Sequence, residues 1–250
     1  MLLAIDIGNT NIKTSLFDKK EQMNFIVHSD PGQIIDYINN TSFTSAAISS
    51  VNSLKKNAIV EKLQTRNISI FNADINKKFN LKINYDTPQT LGLDRVCSAA
   101  GALSIAEDRS MIRENQYLIT IDLGTATTIN IVSPKKEFVG GLIAPGVSTM
   151  FRSLYEETAH LPLAKNTYQG LVGKSTDTSI VSGVLNSTLG MINETIIYLE
   201  SQSNLQPLIF ITGGNASFIS SYLKWDKIFE EALVLKGLKL IYDLNMAKTI

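Results

Sequence analysis

The sequence predicts an α/β protein of two similar domains, residues 1–116 and 117–250, each a mixed five-stranded sheet with flanking helices. Two observations carry this. A strand-like run that ends in an acid and a Gly turn occurs twice, in LLAIDIGNTNIKTSLF from Leu2 to Phe17 and in YLITIDLGTATTIN from Tyr117 to Asn130. Asp6 matches Asp122 and Gly8 matches Gly124, nearly half the chain apart. The length of 250 residues also suits two domains of roughly 120, each long enough to bury its own core.

In the first half, Leu2 to Ile7, Asn11 to Phe17 and Met23 to Val27 are rich enough in β-branched and apolar residues for a three-stranded meander. A helix is expected at about Pro31 to Asn40, with Asp30-Pro31 in the cap and first-turn positions. A short strand at Ala46 to Ser50 precedes a helix at Lys55 to Arg66, where Ile59 and Leu63 share a face, and a strand at Ile68 to Phe71. Asn72 to Leu91 loses periodicity and reads as a polar, ordered connector holding Tyr85. At its end Leu91-Gly92-Leu93-Asp94-Arg95 opens a helix to about Glu107, with Asp94 placed as N-cap and Arg95 as a solvated first-turn residue.

The second half repeats the scheme. Its meander is Tyr117 to Asp122, Thr127 to Val132 and Glu137 to Leu142, and Gly140-Gly141 and Pro145-Gly146 bracket a turn into a helix through about Glu157. Gly173-Lys174-Ser175 invites comparison with a P-loop, but the first Gly of G-x-x-x-x-G-K-S would fall at Tyr168, so the match fails. A long helix is expected from Asp177 to about Ser201. Thr176 before it is either a helix-capping neighbour or a substrate ligand. A buried strand from Pro207 runs into Gly213-Gly214, where a flat ring could lie on the backbone or the chain could simply turn sharply. A final apolar helix is expected at Glu231 to about Leu244.

Composition excludes several classes. Lys+Arg and Asp+Glu number 23 each, which gives no electrostatic footprint for nucleic acid or an anionic membrane. No apolar run is expected to approach the ~20 residues of a membrane span, and Asp6 interrupts any signal-like start, so a cytoplasmic protein is expected. The single cysteine, Cys97, lies among small residues and reads as core. With two histidines, His28 and His160, the sequence has no HExxH, no Cys/His zinc cluster, no GxSxG elbow and no GxGxxG after a strand.

Carboxylates, threonines, a lysine and backbone amides remain, and phosphoryl transfer needs just these: positioning, charge neutralisation and a base. A tight turn after a strand can hold phosphate oxygens through N–H groups and Thr hydroxyls, while the acid holds a cation. A plain hairpin with Asp122 as a turn residue would look the same.

Taken together, D-x-G-N-T-x-x-K at Asp6 to Lys13, G-x-D-R at Gly92 to Arg95, D-x-G-T-A-T-T at Asp122 to Thr128, G-G-x-I-x-P-G at Gly140 to Gly146 and T-G-G at Thr212 to Gly214 resemble type III pantothenate kinase. This family belongs to the acetate and sugar kinase, heat-shock 70, actin superfamily. The resemblance implies two ribonuclease-H-like domains, ATP-dependent phosphorylation of pantothenate as the first step of coenzyme A synthesis, a homodimer, magnesium with ATP, and a monovalent cation, potassium or ammonium. It implies that Asp6, Ile7, Gly8, Asn9, Thr10, Asn11, Ile12 and Lys13 take the ATP phosphates, Asp6 with their magnesium. Thr125, Gly213 and Gly214 would also contact ATP, and Asp122 would hold the monovalent cation. Tyr85, Gly92, Leu93, Asp94, Arg95 and Thr176 would bind pantothenate, with Asp94 as the base and Thr176 reaching the partner subunit's site.

The chain departs from the family pattern in two places. Asn52 follows Ser49-Ser50-Val51 where an apolar residue and a proline are expected, and Glu231-Ala232 precedes the last Leu-Val-Leu run where a proline is common. Two alternatives stay open: another small-molecule kinase of the superfamily, and a non-catalytic regulator on the same fold.

Overall fold

The computed structural model describes residues 1–19, 21–164 and 168–247. In chain order the elements are β1 (Leu2–Ile7), β2 (Ile12–Asp18), β3 (Glu21–Gln22), β4 (Ile26–His28), α1 (Pro31–Asn40), β5 (Ser45–Ser50), α2 (Ser53–Thr65), β6 (Ser69–Asn72), β7 (Lys82–Ile83) and α3 (Leu93–Asp108). They continue with β8 (Leu118–Leu123), β9 (Ala126–Val132), β10 (Glu137–Pro145), α4 (Val147–Glu157), α5 (Thr176–Ser203), β11 (Leu208–Thr212), α6 (Ala216–Ser220), β12 (Ile228–Phe229) and α7 (Leu233–Met246). Two compact units result: Met1–Met111 with Lys136–Val139 and Ala232–Ile250, and Ile112–Lys135 with Gly140–Glu231. The last helix, α7, therefore packs with the N-terminal unit rather than with the half of the sequence that encodes it.

The sheet of the first unit runs β3-β2-β1-β5-β6, with β4 also on β2. The single third strand expected at Met23 to Val27 is split, because Asn24 takes over a ladder bond: the Leu16 N–H donates to Asn24 Oδ1 at 2.9 Å. Leu3, Ile5 and Ile7 of β1 join Ala46 and Ile48 of β5 in a buried cluster with Ile34, Ile38, Ile59 and Leu63 of α1 and α2. Strand alternation sends Leu2, Ala4 and Asp6 to the opposite face. There α3 and α7 cross through paired glycines. A Cβ on Gly101 would meet the Leu233 carbonyl oxygen at 2.6 Å, so no side chain fits between the helices.

In the second unit β12-β11-β8-β9-β10 form the sheet, antiparallel between β8 and β9 and parallel between β8 and β11. The first residues of β10 belong to the first unit, where Glu137 and Phe138 pair with Lys82 and Ile83 of β7. Strand β7 arises inside the segment read as connector. It is too short to show a period. Helix α5 is, among the described residues, long and apolar enough to cross a membrane. Its apolar side, including Ile180, Val184, Leu185, Ile192 and Ile196, lies in the core of the unit.

Candidate active site

The expected site residues fall into two groups, one in each unit. In the first unit Asp6 is 8% exposed near the end of β1, with Lys13 of β2 opposite it on one side and Ser49 of β5 on the other. Paired residues on adjacent strands project to the same face, so a base, an acid and a hydroxyl form a row across three strands. The turn above this row closes through the Gly8 N–H on the Asn11 carbonyl oxygen at 3.1 Å. A Cβ on Gly8 would lie 3.0 Å from that oxygen, which accounts for the glycine. Asn9, Thr10 and Asn11 are exposed, whereas the side chains of Ile7 and Ile12 are sealed in the core and leave only their backbone for a ligand.

The G-x-D-R segment differs from its expected local structure. Gly92, not Asp94, occupies the N-cap position of α3, and Asp94 lies within the first helical turn. Its carboxylate folds back over the cap, since a Cβ on Gly92 would come within 2.6 Å of Asp94 Oδ1. An acid in the first turn is favoured by the helix dipole and by the unpaired N–H groups there. Arg95 is not solvated: it is 6% exposed, with its guanidinium 5.6 Å from the centroid of the Phe138 ring. Tyr85 meets the same ring edge-on at 6.0 Å. Phe138, fully buried, thus gathers two residues expected to bind one substrate. Sequence reasoning missed it, as one aromatic in an alternating strand carries no signal of its own.

Beneath this group the Cys97 thiol is fully buried. Burial, then the charges of Asp6 and Asp94, push its pKa well above the ordinary thiol range, so it stays protonated and unreactive.

In the second unit Asp122 lies one residue before the end of β8, paired with Thr128 of β9 and Thr212 of β11. Gly213 adopts φ +99°, and a Cβ there would lie 2.5 Å from Asp122 Oδ1 and 2.6 Å from the Leu123 backbone. Gly124 also lies against the carboxylate, at 3.3 Å for its would-be Cβ. The carboxylate is therefore cradled by the glycine backbone of Gly124 and Gly213, and its own oxygens are the hard donors that a cation takes. Gly214 faces open space, so of the pair it is the one a ring could approach. Thr125 is exposed at the turn, and its carbonyl accepts from the Gly146 N–H at 2.9 Å and from Thr149 Oγ1 at 2.8 Å.

Thr176 is not part of a cap. Ser175 is the N-cap of α5 in a capping box with Thr178, and Thr176 is the first helical residue. It is exposed and lines a cavity of about 670 Å³ with Met150, Leu154, Ile180 and Val184. Among the described residues no cluster of three or more His, Cys, Asp or Glu could hold a metal by itself.

Two mixed α/β units, each with an acid near the end of a hairpin strand and a glycine turn after it, make a fold built on one hairpin plan used twice. Solved structures agree on the fold. One from Campylobacter jejuni, described as a Baf family transcriptional activator, superposes with a TM-score of 0.60 at 24% identity, covering 96% of this chain and 97% of that one. The activator of 2-hydroxyisocaproyl-CoA dehydratase from Clostridium difficile gives a TM-score of 0.51 at 10% identity, covering 97% of this chain and 95% of that one.

The family model of type III pantothenate kinase matches residues 2–197, and the chain belongs to that family. A type III pantothenate kinase of Sulfurihydrogenibium sp. (strain YO3AOP1) is 33% identical over 95% of this chain and 98% of its own length. One of Persephonella marina is 30% identical over 98% and 99%.

Proposed function

We propose that the protein transfers the γ-phosphoryl group of ATP to the primary hydroxyl of pantothenate, giving 4′-phosphopantothenate and ADP for coenzyme A synthesis. The family match over residues 2–197 carries this reading, since every quoted motif except the Thr212 to Gly214 turn lies inside it. Asp94 accepts the hydroxyl proton as that oxygen forms the new bond to phosphorus and the bond to the β-phosphate oxygen breaks. Arg95, beside the Phe138 ring, offers a planar fork to the pantothenate carboxylate, and Tyr85 on the same ring borders that group.

The Gly8 to Lys13 turn and Thr125 hold the phosphates, and Gly213-Gly214 the adenosine. Asp6, in the middle of the Lys13–Asp6–Ser49 row, would hold magnesium with ATP, and the glycine-cradled Asp122 a monovalent cation. Such cations supply neutralisation of the phosphate charge. We further place the enzyme in the cytoplasm as a homodimer in which Thr176 reaches the pantothenate site of the partner subunit. Neither nucleic acid nor a membrane is a partner in this reading.

ADP release measured with pantothenate, sugars and short carboxylic acids as acceptors tests the reading. Turnover confined to pantothenate is expected. Turnover on a sugar alone would make the protein another kinase of the superfamily, and no turnover on any acceptor would favour the regulator.

A further inference from the structure

The Lys55 ammonium lies behind the first phosphate turn. Its Nζ donates to the Asn9 carbonyl oxygen at 2.6 Å and to the Thr10 carbonyl oxygen at 3.2 Å. We propose that Lys55 is a positioning residue for ATP, clamping two carbonyls of this turn so that its amides face the phosphates.

The geometry follows from peptide planarity. All described peptide bonds are trans, so within each plane the C=O and the N–H point in opposite directions. Fixing the Asn9 and Thr10 carbonyls on Lys55 therefore aims the Thr10 and Asn11 N–H groups to the other side. Two successive N–H groups on one side of a turn form an anion-binding concavity. A turn free to rotate its peptide planes would present carbonyl oxygens to phosphate part of the time, and those repel it.

Lys55 is itself held in place. The Ser50 to Asn52 connection is tied to the end of β1 by the Val51 N–H on the Ile7 carbonyl oxygen at 3.1 Å. Asn52 then caps α2, its Oδ1 accepting from the Lys55 N–H at 3.0 Å. At this departure from the family pattern the capping side chain of Asn52 stands where a proline is expected and fixes the root of Lys55. The turn of the second unit is braced similarly from behind, through the Thr125 carbonyl, but by the uncharged Gly146 N–H and Thr149 hydroxyl. Charge at the back of the first turn alone adds a favourable field for phosphate.

The proposal rests on assigning this turn to the ATP phosphates, so its test is separate from turnover on pantothenate. Lys55→Met and Lys55→Arg are compared with wild type in three measurements: binding of magnesium–ATP by titration calorimetry, the two Michaelis constants, and amide hydrogen exchange at Thr10 and Asn11 without nucleotide. In Lys55→Met, ATP affinity should fall by on the order of tenfold, as for a lost charge-assisted hydrogen bond, and exchange at Thr10 and Asn11 should quicken. The KM for pantothenate should hold, and Lys55→Arg should recover most of the ATP affinity. Unchanged ATP affinity overturns the proposal. Weakened affinity with unchanged exchange overturns the clamp too, since it would mean that Lys55 acts on phosphate directly. If wild type binds ATP without phosphorylating pantothenate, the functional reading fails while the Lys55 comparison is still decided by binding.

Discussion

A Cβ built on Gly237 would sit 1.8 Å from the carbonyl oxygen of Cys97, so α7 and α3 cross backbone on backbone. Because α3 carries Asp94 and Arg95 at its start, this crossing sets where the candidate base and the carboxylate-binding fork stand. Gly237→Ala must push the helices apart, and overpacking of this kind costs about 1–3 kcal/mol or more. Gly190→Ala in α5 is the control: nothing lies within 4 Å of a Cβ there, and replacing a helical glycine should stabilise by about 0.5–1 kcal/mol. Urea midpoints should move in opposite directions for the two variants. The same direction for both would mean that the crossing tolerates separation.

What the sequence disclosed depended on whether a residue's role is local. The acid-bearing turns were legible because their residue types recur twice in one order, and glycine there answers a local need, as at Gly8 against the Asn11 oxygen. Lys55 was not legible: a lysine in a first helical turn reads as solvated, and only the tertiary fold brings it to Asn9. Phe138 and Gly237 were hidden for the same reason, each serving a partner far along the chain. Asp94 was read as the cap because Asp caps often, yet Gly92 holds that position and frees the carboxylate. Helix α7 shows the limit most directly, since its apolar pattern predicts a helix without saying which unit receives it.

Phe138→Leu should separate the two substrates. The ring supports Arg95 and Tyr85 together, and a leucine keeps the apolar volume but removes the π face. The KM for pantothenate is expected to rise on the order of tenfold, from a cation–π loss of about 1–2 kcal/mol, with the KM for ATP nearly unchanged. Steady-state kinetics with each substrate varied in turn decides it; an equal rise in both constants would point to a general loss of structure.

Asp94→Asn keeps the shape of the first turn of α3 and removes the proton acceptor. Turnover should fall by ~10² to 10⁴ while pantothenate still binds, as measured by equilibrium titration. Turnover near wild type would move the base elsewhere.

His28 gives a stability prediction with a definite sign. It is buried on β4, its Nε2 2.9 Å from Thr14 Oγ1. Burial lowers its pKa, the charge of Asp30 opposing in part. A depressed folded pKa contributes stability that is present above the unfolded value of about 6.5 and is lost as pH falls through the folded value. Stability should therefore decline on the acid side below about pH 6.5, and His28→Gln should flatten that limb. Urea titrations between about pH 5 and 7.5 would show it, and parallel curves for both proteins would assign the acid limb to other groups.

The cation assignment can be tested from two sides of one carboxylate. Asp122→Asn removes the charge that would attract a monovalent cation. Gly213→Ala leaves the charge but places a methyl 2.5 Å from Asp122 Oδ1, at a residue whose φ of +99° already favours glycine. Both variants should lose activation by potassium or ammonium. Gly214→Ala, which meets nothing within 4 Å, should keep it. Because Gly213→Ala strains the backbone as well, its melting temperature is followed in parallel, and activity is measured well below that temperature. Stability separates the two effects: Asp122→Asn is expected to fold normally and still ignore the cation. A full potassium response in Asp122→Asn would place the cation at another site, whatever Gly213→Ala does.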